Sequence, residues 1–186
     1  MPAAYVNSTG KQRFDGVNTT TISSDPYSLT AGNLSVIVLR LGSGINAGDA
    51  AVSDLAGNTY HFDGLALGGR FAIWSANNCL GHANNVATAT YPLRAFVAIT
   101  PIQFSGQPAD VTCDLATAEE LSGASVSCQP NSSESAQIAV LASDLTNSGL
   151  PTFGPAATFT TIYSSGPTGN GPYILSGAGS HSIAYT

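Results

Sequence analysis

This chain predicts an all-β fold: a single antiparallel β-sandwich, of jelly-roll or immunoglobulin-like type, with long surface loops and one domain over residues 1–186. Three observations carry that reading. Short apolar runs, several alternating with period two, recur at regular spacing and close on Gly, Asn, Asp or Pro clusters, the pattern of a sandwich rather than of alternating strands and helices. Charged residues make up 9% of the chain, against about 25% in ordinary soluble domains, so solubility rests on Ser, Thr, Asn and Gly, residues of turns and strands. Strong helix formers are correspondingly scarce, with Lys11 the single lysine and three glutamates in all. Single all-β domains run to this length, and one of this size buries roughly 70% of the surface its unfolded chain exposes.

The clearest strands are Asn33 to Leu41 (NLSVIVLRL), Arg70 to Ala76 (RFAIWSA), Arg94 to Phe104 (RAFVAITPIQF) and Ala136 to Ala142 (AQIAVLA). In the first the apolar set is nearly continuous, which predicts a central strand covered on both faces. Weaker strands are expected at Ala3 to Ser8, Thr19 to Ser23, Ala51 to Ser53, Thr59 to Phe62, Val86 to Thr90, Ala124 to Ser127, Phe159 to Tyr163 and His181 to Tyr185. The stretch VSDLAGNTYHF reads as a β-hairpin, with Gly57 and Asn58 supplying positive φ in a tight turn. Pro101 cannot donate to a ladder, which predicts a bulge or an edge position. A turn or two of helix is expected at Asp114 to Leu121, and loops at Thr146 to Ala157 and Ser164 to Gly171.

Several function classes fall away on composition. Net charge is −6, and the four arginines (Arg13, Arg40, Arg70, Arg94) are dispersed, so no footprint for a phosphate backbone exists and no nucleic-acid partner is expected. The longest apolar stretch, Leu34 to Leu41, is far short of the roughly 20 residues of a membrane helix. The N-terminus, MPAAYVNSTGKQRF, lacks the basic start and apolar core of a secretory signal, which predicts synthesis in the cytoplasm without a signal peptide. The three cysteines, Cys79, Cys113 and Cys128, follow no zinc-ligand spacing. Cys113 and Cys128 bracket a 14-residue loop that one disulfide could close, and buried free thiols fit the odd count equally well.

Catalytic machinery is not legible, and the chain reads as a non-enzyme. A nucleophilic site needs a Ser, Cys or Thr beside an oriented base, and His61, His82 and His181 are the bases available. Ser180 and His181 in GAGSHS read as a turn entering the last strand, and His61 as a strand residue. Glycoside hydrolysis needs two facing carboxylates, whereas Asp25, Asp54, Asp63 and Asp144 sit at turns and Glu119 and Glu120 diverge on any regular backbone. No cofactor is expected. Calcium is the metal kept in view, through the weak cluster Asp49, Asp54 and Asn58, although no EF-hand spacing specifies it. Trp74 reads as core rather than as a sugar platform, and Tyr163, Tyr173 and Tyr185 beside the C-terminal loops are the candidate contacts for a partner.

The order LTAGNLSVIVLRL, VSDLAGNTYHF, GRFAIWSANN, RAFVAITPIQFSG, ILSGAGSHSIAYT resembles a β-sandwich domain that recurs in tailed-phage structural proteins and bacterial surface proteins, where TAGNLIVV, SDSAGNTY, RLAIWYA and SAAGSYSATWT stand at similar relative positions. The resemblance spans Leu29 to Thr186 and lies in strand and turn chemistry: Gly32 and Asn33, Gly57 and Asn58, Gly177 to Ser180. It implies a fold and brings no catalytic residues. Such domains continue into a further apolar strand where this sequence stops at Ala184, Tyr185 and Thr186, which predicts an exposed final edge docking on a neighbouring subunit. The function expected is that of a tailed-phage virion protein: a capsid decoration or cement protein ahead of a tail or fibre component, homo-oligomeric or docked on a major capsid or tail protein. The alternative is a carbohydrate- or receptor-binding module on a virion or cell surface. A depolymerase or hydrolase fragment ranks third, for want of an acid–base pair.

Overall fold

The structure, a computed structural model, describes residues 4–8, 11–13, 19–41, 46–66, 71–95, 97–106, 125–128, 138–142, 151–154, 158–161, 172–176 and 181–185. The fold is all-β: among the described residues the only regular element that is not a strand is a 3-10 turn at Ala47–Asp49, and every described pairing is antiparallel. The chain divides into two compact units, Met1–Cys113 and Asp114–Thr186.

The N-terminal unit holds β1 (Ala4–Ser8), β2 (Lys11–Arg13), β3 (Thr19–Ser23), β4 (Tyr27–Leu29), β5 (Leu34–Leu41), β6 (Ala51–Asp54), β7 (His61–Ala66), β8 (Phe71–Ala76), β9 (His82–Asn85), β10 (Ala87–Ala95) and β11 (Val97–Ser105). One sheet runs β1-β11-β5-β8-β7 with β2 also on β11, a second runs β3-β10-β6, and β4 pairs with β9. A single buried cluster draws Ile37, Leu39, Ala72, Trp74, Ala76 and Ile99 from the first sheet, Ile22, Ala87, Ala89 and Tyr91 from the second, and Tyr27 and Leu29 from β4. Two sheets that share one core in this way form a sandwich. Period two explains the choice of residues: Ala87, Ala89 and Tyr91 are buried on β10 while Thr90 and Pro92 are exposed.

Strand β5 obeys a different rule. Leu34 through Leu39 are all buried, so both of its faces are covered, as its continuous apolar run predicts. Its partner β11 matches it residue for residue from Val97↔Leu41 to Phe104↔Leu34, with Thr100, Ile102 and Phe104 buried on the face turned away from the shared core.

Five expectations are corrected. Asp54 and His61 do not flank a hairpin: β6 pairs with β10 and β7 with β8, so VSDLAGNTYHF crosses from one sheet to the other, with positive φ at Gly57 but not at Asn58. Arg94 to Phe104 is not one strand, because β10 reaches Ala95 in one sheet and β11 starts at Val97 in the other. Pro101 stands in a central strand, in unbroken register with Ile37. On the other side of β11, Ser8↔Ile102 and Lys11↔Ile99 flank it, so Pro101 faces the break between β1 and β2, where no described residue needs its missing N–H. The fourth and fifth corrections belong to the C-terminal unit.

That unit holds β12 (Ser125–Cys128), β13 (Ile138–Ala142), β14 (Pro151–Gly154), β15 (Thr158–Thr161), β16 (Pro172–Ser176) and β17 (His181–Tyr185), in two three-stranded sheets ordered β12-β17-β14 and β13-β16-β15. The final strand is therefore paired on both sides, with Ala184 opposite Ser125 and Thr152, and it offers no free edge to a neighbouring subunit. Its second partner, β14, lies inside the stretch expected to be loop, where Pro151 occupies the first strand position that proline tolerates. The helix expected at Asp114 to Leu121 and the loop at Ser164 to Gly171 lie outside the described residues.

Candidate functional site

The densest polar construction among the described side chains lies where β6 ends and the chain crosses between sheets. Asp54 closes β6, and its Oδ1 accepts the Asn58 backbone N–H at 2.9 Å. Its Oδ2 accepts three further donors: Asn58 Nδ2 at 2.8 Å, Tyr60 Oη at 3.0 Å and Asn85 Nδ2 at 3.0 Å. Asn85 is fully buried at the end of β9, donates also to Tyr27 Oη at 2.9 Å, and accepts the Ala56 backbone N–H at 3.1 Å. With the Tyr60 proton given to Asp54, Ser35 on β5 donates to Tyr60 Oη at 3.0 Å. Asn58 Oδ1 accepts the backbone N–H of Leu80 at 2.7 Å, fastening the loop after β8. The sandwich sheets, β4, β9 and two loops are thus joined through one carboxylate.

Four donors converge on the Asp54 carboxylate, one on Oδ1 and three on Oδ2, so the group is engaged chiefly within the protein. Burial pushes the Tyr27 and Tyr60 hydroxyls upward, with the Asp54 charge adding to the effect, so both stay protonated and act as donors and acceptors within the network. Of the calcium cluster, Asp54 and Asn58 are brought together by binding each other, whereas Asp49 sits exposed in the 3-10 turn. No group of three or more His, Cys, Asp or Glu side chains converges among the described residues.

A smaller polar group sits on β7, at the edge of the large sheet. The register shifts between Phe62↔Trp74 and Gly64↔Ile73, which leaves Asp63 as an inserted bulge residue. Asp63 is hydrogen-bonded with Ser75 on β8 and feels the charge of His61, while its Oδ2 is buried without a hydrogen-bond partner. Burial raises the Asp63 carboxyl above the usual aspartate range, against the lowering effects of Ser75 and His61. On the other face of the strand, Phe62 packs on Trp74 with ring centroids 5.5 Å apart.

The remaining candidates divide by place. Cys79 is a buried free thiol whose Sγ–H donates to the Ala76 carbonyl at 3.1 Å, and burial pushes it up to about 11. His82 is exposed on β9, where its Nδ1 accepts the Asn84 backbone N–H at 3.2 Å. Tyr173 lies in the central strand β16, opposite Leu141 and Thr161, and Tyr185 in β17 opposite Pro151, positions given by backbone register. Cys128 stands opposite His181. Tyr163, Cys113 and Ser180 lie outside the described residues, and with Cys113 so does the disulfide. Sequence reasoning missed Asn85, Tyr27 and Ser35, for nothing local separates Asn85 from its exposed neighbour Asn84. Only the tertiary pairing of β4 with β9 brings Asn85 inward.

The site and fold together define an all-β sandwich protein whose central polar cluster is a fastening between sheets. In comparisons with known proteins, no protein-family model and no curated sequence matches the chain.

Proposed function

We propose that the chain is a structural protein of a tailed-phage virion, a capsid decoration or cement protein that docks on the major capsid protein or on other copies of itself. The observation that supports this reading most is the use made of the motif it rests on. In VSDLAGNTYHF, one of the segments that carry the resemblance, Asp54, Asn58 and Tyr60 are spent on holding two sheets together. A virion component is selected for a persistent fold and a surface, and it needs no reactive group. Low charge fits the same role, because repeated copies of a weakly charged chain can crowd on a lattice with little mutual repulsion.

The test is imaging of particles from the source of this sequence, with antibody to the chain and peptide identification of the particle proteins. A regular array of label over the capsid is expected. Label confined to the tail assigns the tail or fibre role, which contradicts decoration. Absence of the chain from particles, with saturable glycan binding by the purified protein, overturns the proposal in favour of a carbohydrate-binding module.

A further inference from the structure

We propose that the Asp63 bulge is a proton-operated latch on β7: neutral Asp63 seats this edge strand on β8, and loss of its proton loosens the edge of the large sheet. Strand β7 is the last of its sheet and is held there by β8 alone among the described strands. The bulge interrupts its ladder at Asp63, so the carboxyl group lies between two stretches of regular pairing. One oxygen is buried with no hydrogen-bond partner. A neutral carboxyl tolerates such a place better than a carboxylate does, since the charge on that oxygen has no donor and the Ser75 hydrogen bond offsets only part of the cost of burial.

Among the described residues the surrounding groups are few. On β7 itself His61, exposed and opposite Ser75, favours the carboxylate while it carries a proton. On β8 the Ser75 hydroxyl favours the carboxylate by hydrogen bonding. The 3-10 turn packed on β7 brings exposed Asp49, a like charge, and β5 contributes Arg40 at the far end of the strands, opposite Phe71.

The sign follows from linkage. Burial raises the Asp63 carboxyl in the folded strand above its unfolded value. The folded edge therefore holds a proton that the opened edge has lost, and stability is fully present below the unfolded value and falls as pH rises through the folded one. Above that interval the strand frays and the backbone of Phe71–Ala76 becomes an open edge, a template for pairing with another strand.

The experiment is NMR on the whole chain across the acidic and neutral range, following the Asp63 carboxyl carbon together with amide exchange in β7 relative to β5. The carboxyl should titrate above the ordinary aspartate value, and β7 protection should fall over the same interval by up to about tenfold per pH unit. Asp63→Asn should keep β7 protected throughout. Ser75→Ala and His61→Gln should move the transition to higher pH. A carboxyl that titrates at or below the ordinary value overturns the latch, as does β7 protection that stays constant while the carboxyl titrates. These two wild-type measurements decide the matter even if no variant folds.

Discussion

Asn85 has no exposed surface and makes three hydrogen bonds, to Tyr27, Asp54 and the Ala56 amide. Truncation to alanine leaves a tyrosine hydroxyl, a carboxylate oxygen and a backbone N–H short of a partner in a part-buried place. At the usual 1–3 kcal/mol for each buried unsatisfied group, with some rescue by water, Asn85→Ala should cost about 3 kcal/mol. Trp74 is the single tryptophan and is buried in the N-terminal core, so its fluorescence through a urea titration reads this loss directly. Asn84→Ala, one residue away and exposed, should stay within about 0.5 kcal/mol of the parent. Cys79 gives a second prediction at this scale. A thiol pushed up to about 11 and buried carries almost no thiolate at neutral pH. Brief alkylation of the native protein followed by peptide mapping should find Cys79 unmodified, and the same treatment in denaturant should label it fully.

At the scale of elements, the legible strands are those whose side chains report their surroundings. NLSVIVLRL has no polar face to offer water, and β5 is central; RFAIWSA alternates, and Trp74 points into the core. What sequence reasoning missed depended on partners far along the chain. The segment VSDLAGNTYHF has two alternating arms around a glycine, and local turn chemistry reads the same for a hairpin as for a crossing between sheets. The difference is made by Asn85, which donates from β9 both to Asp54 and to Tyr27 on β4. Short strands such as Tyr27–Leu29 and His82–Asn85 carry too few residues for a period to emerge, and they exist because they pair with each other. Asp63 read as a turn residue before Gly64, since the Asp-Gly pair is turn chemistry and a bulge leaves no separate signature. The crossing itself invites a test. Gly57 has φ of +80° with open space around its Cβ position, so Gly57→Ala meets no neighbour and pays only for its backbone conformation. A loss of about 1 kcal/mol in the same urea titration is expected.

For the whole molecule, the consequence is a chain with 9% of its residues charged, in which the described N-terminal core and its Asp54 network form a persistent fold. The reading of Asp54 as a fastener rather than a ligand underlies both the sandwich and the proposed structural role, and it can be tested on the intact chain. Thermal unfolding followed by Trp74 fluorescence, with and without millimolar calcium, compares the parent with Asp54→Ala. A carboxylate that serves as a fastener, held by four internal donors, predicts a midpoint for the parent that calcium does not move, and a lowered midpoint for Asp54→Ala that calcium does not restore. A midpoint that rises with calcium in the parent and loses that rise in Asp54→Ala would place a cation at this carboxylate and contradict the fastening role.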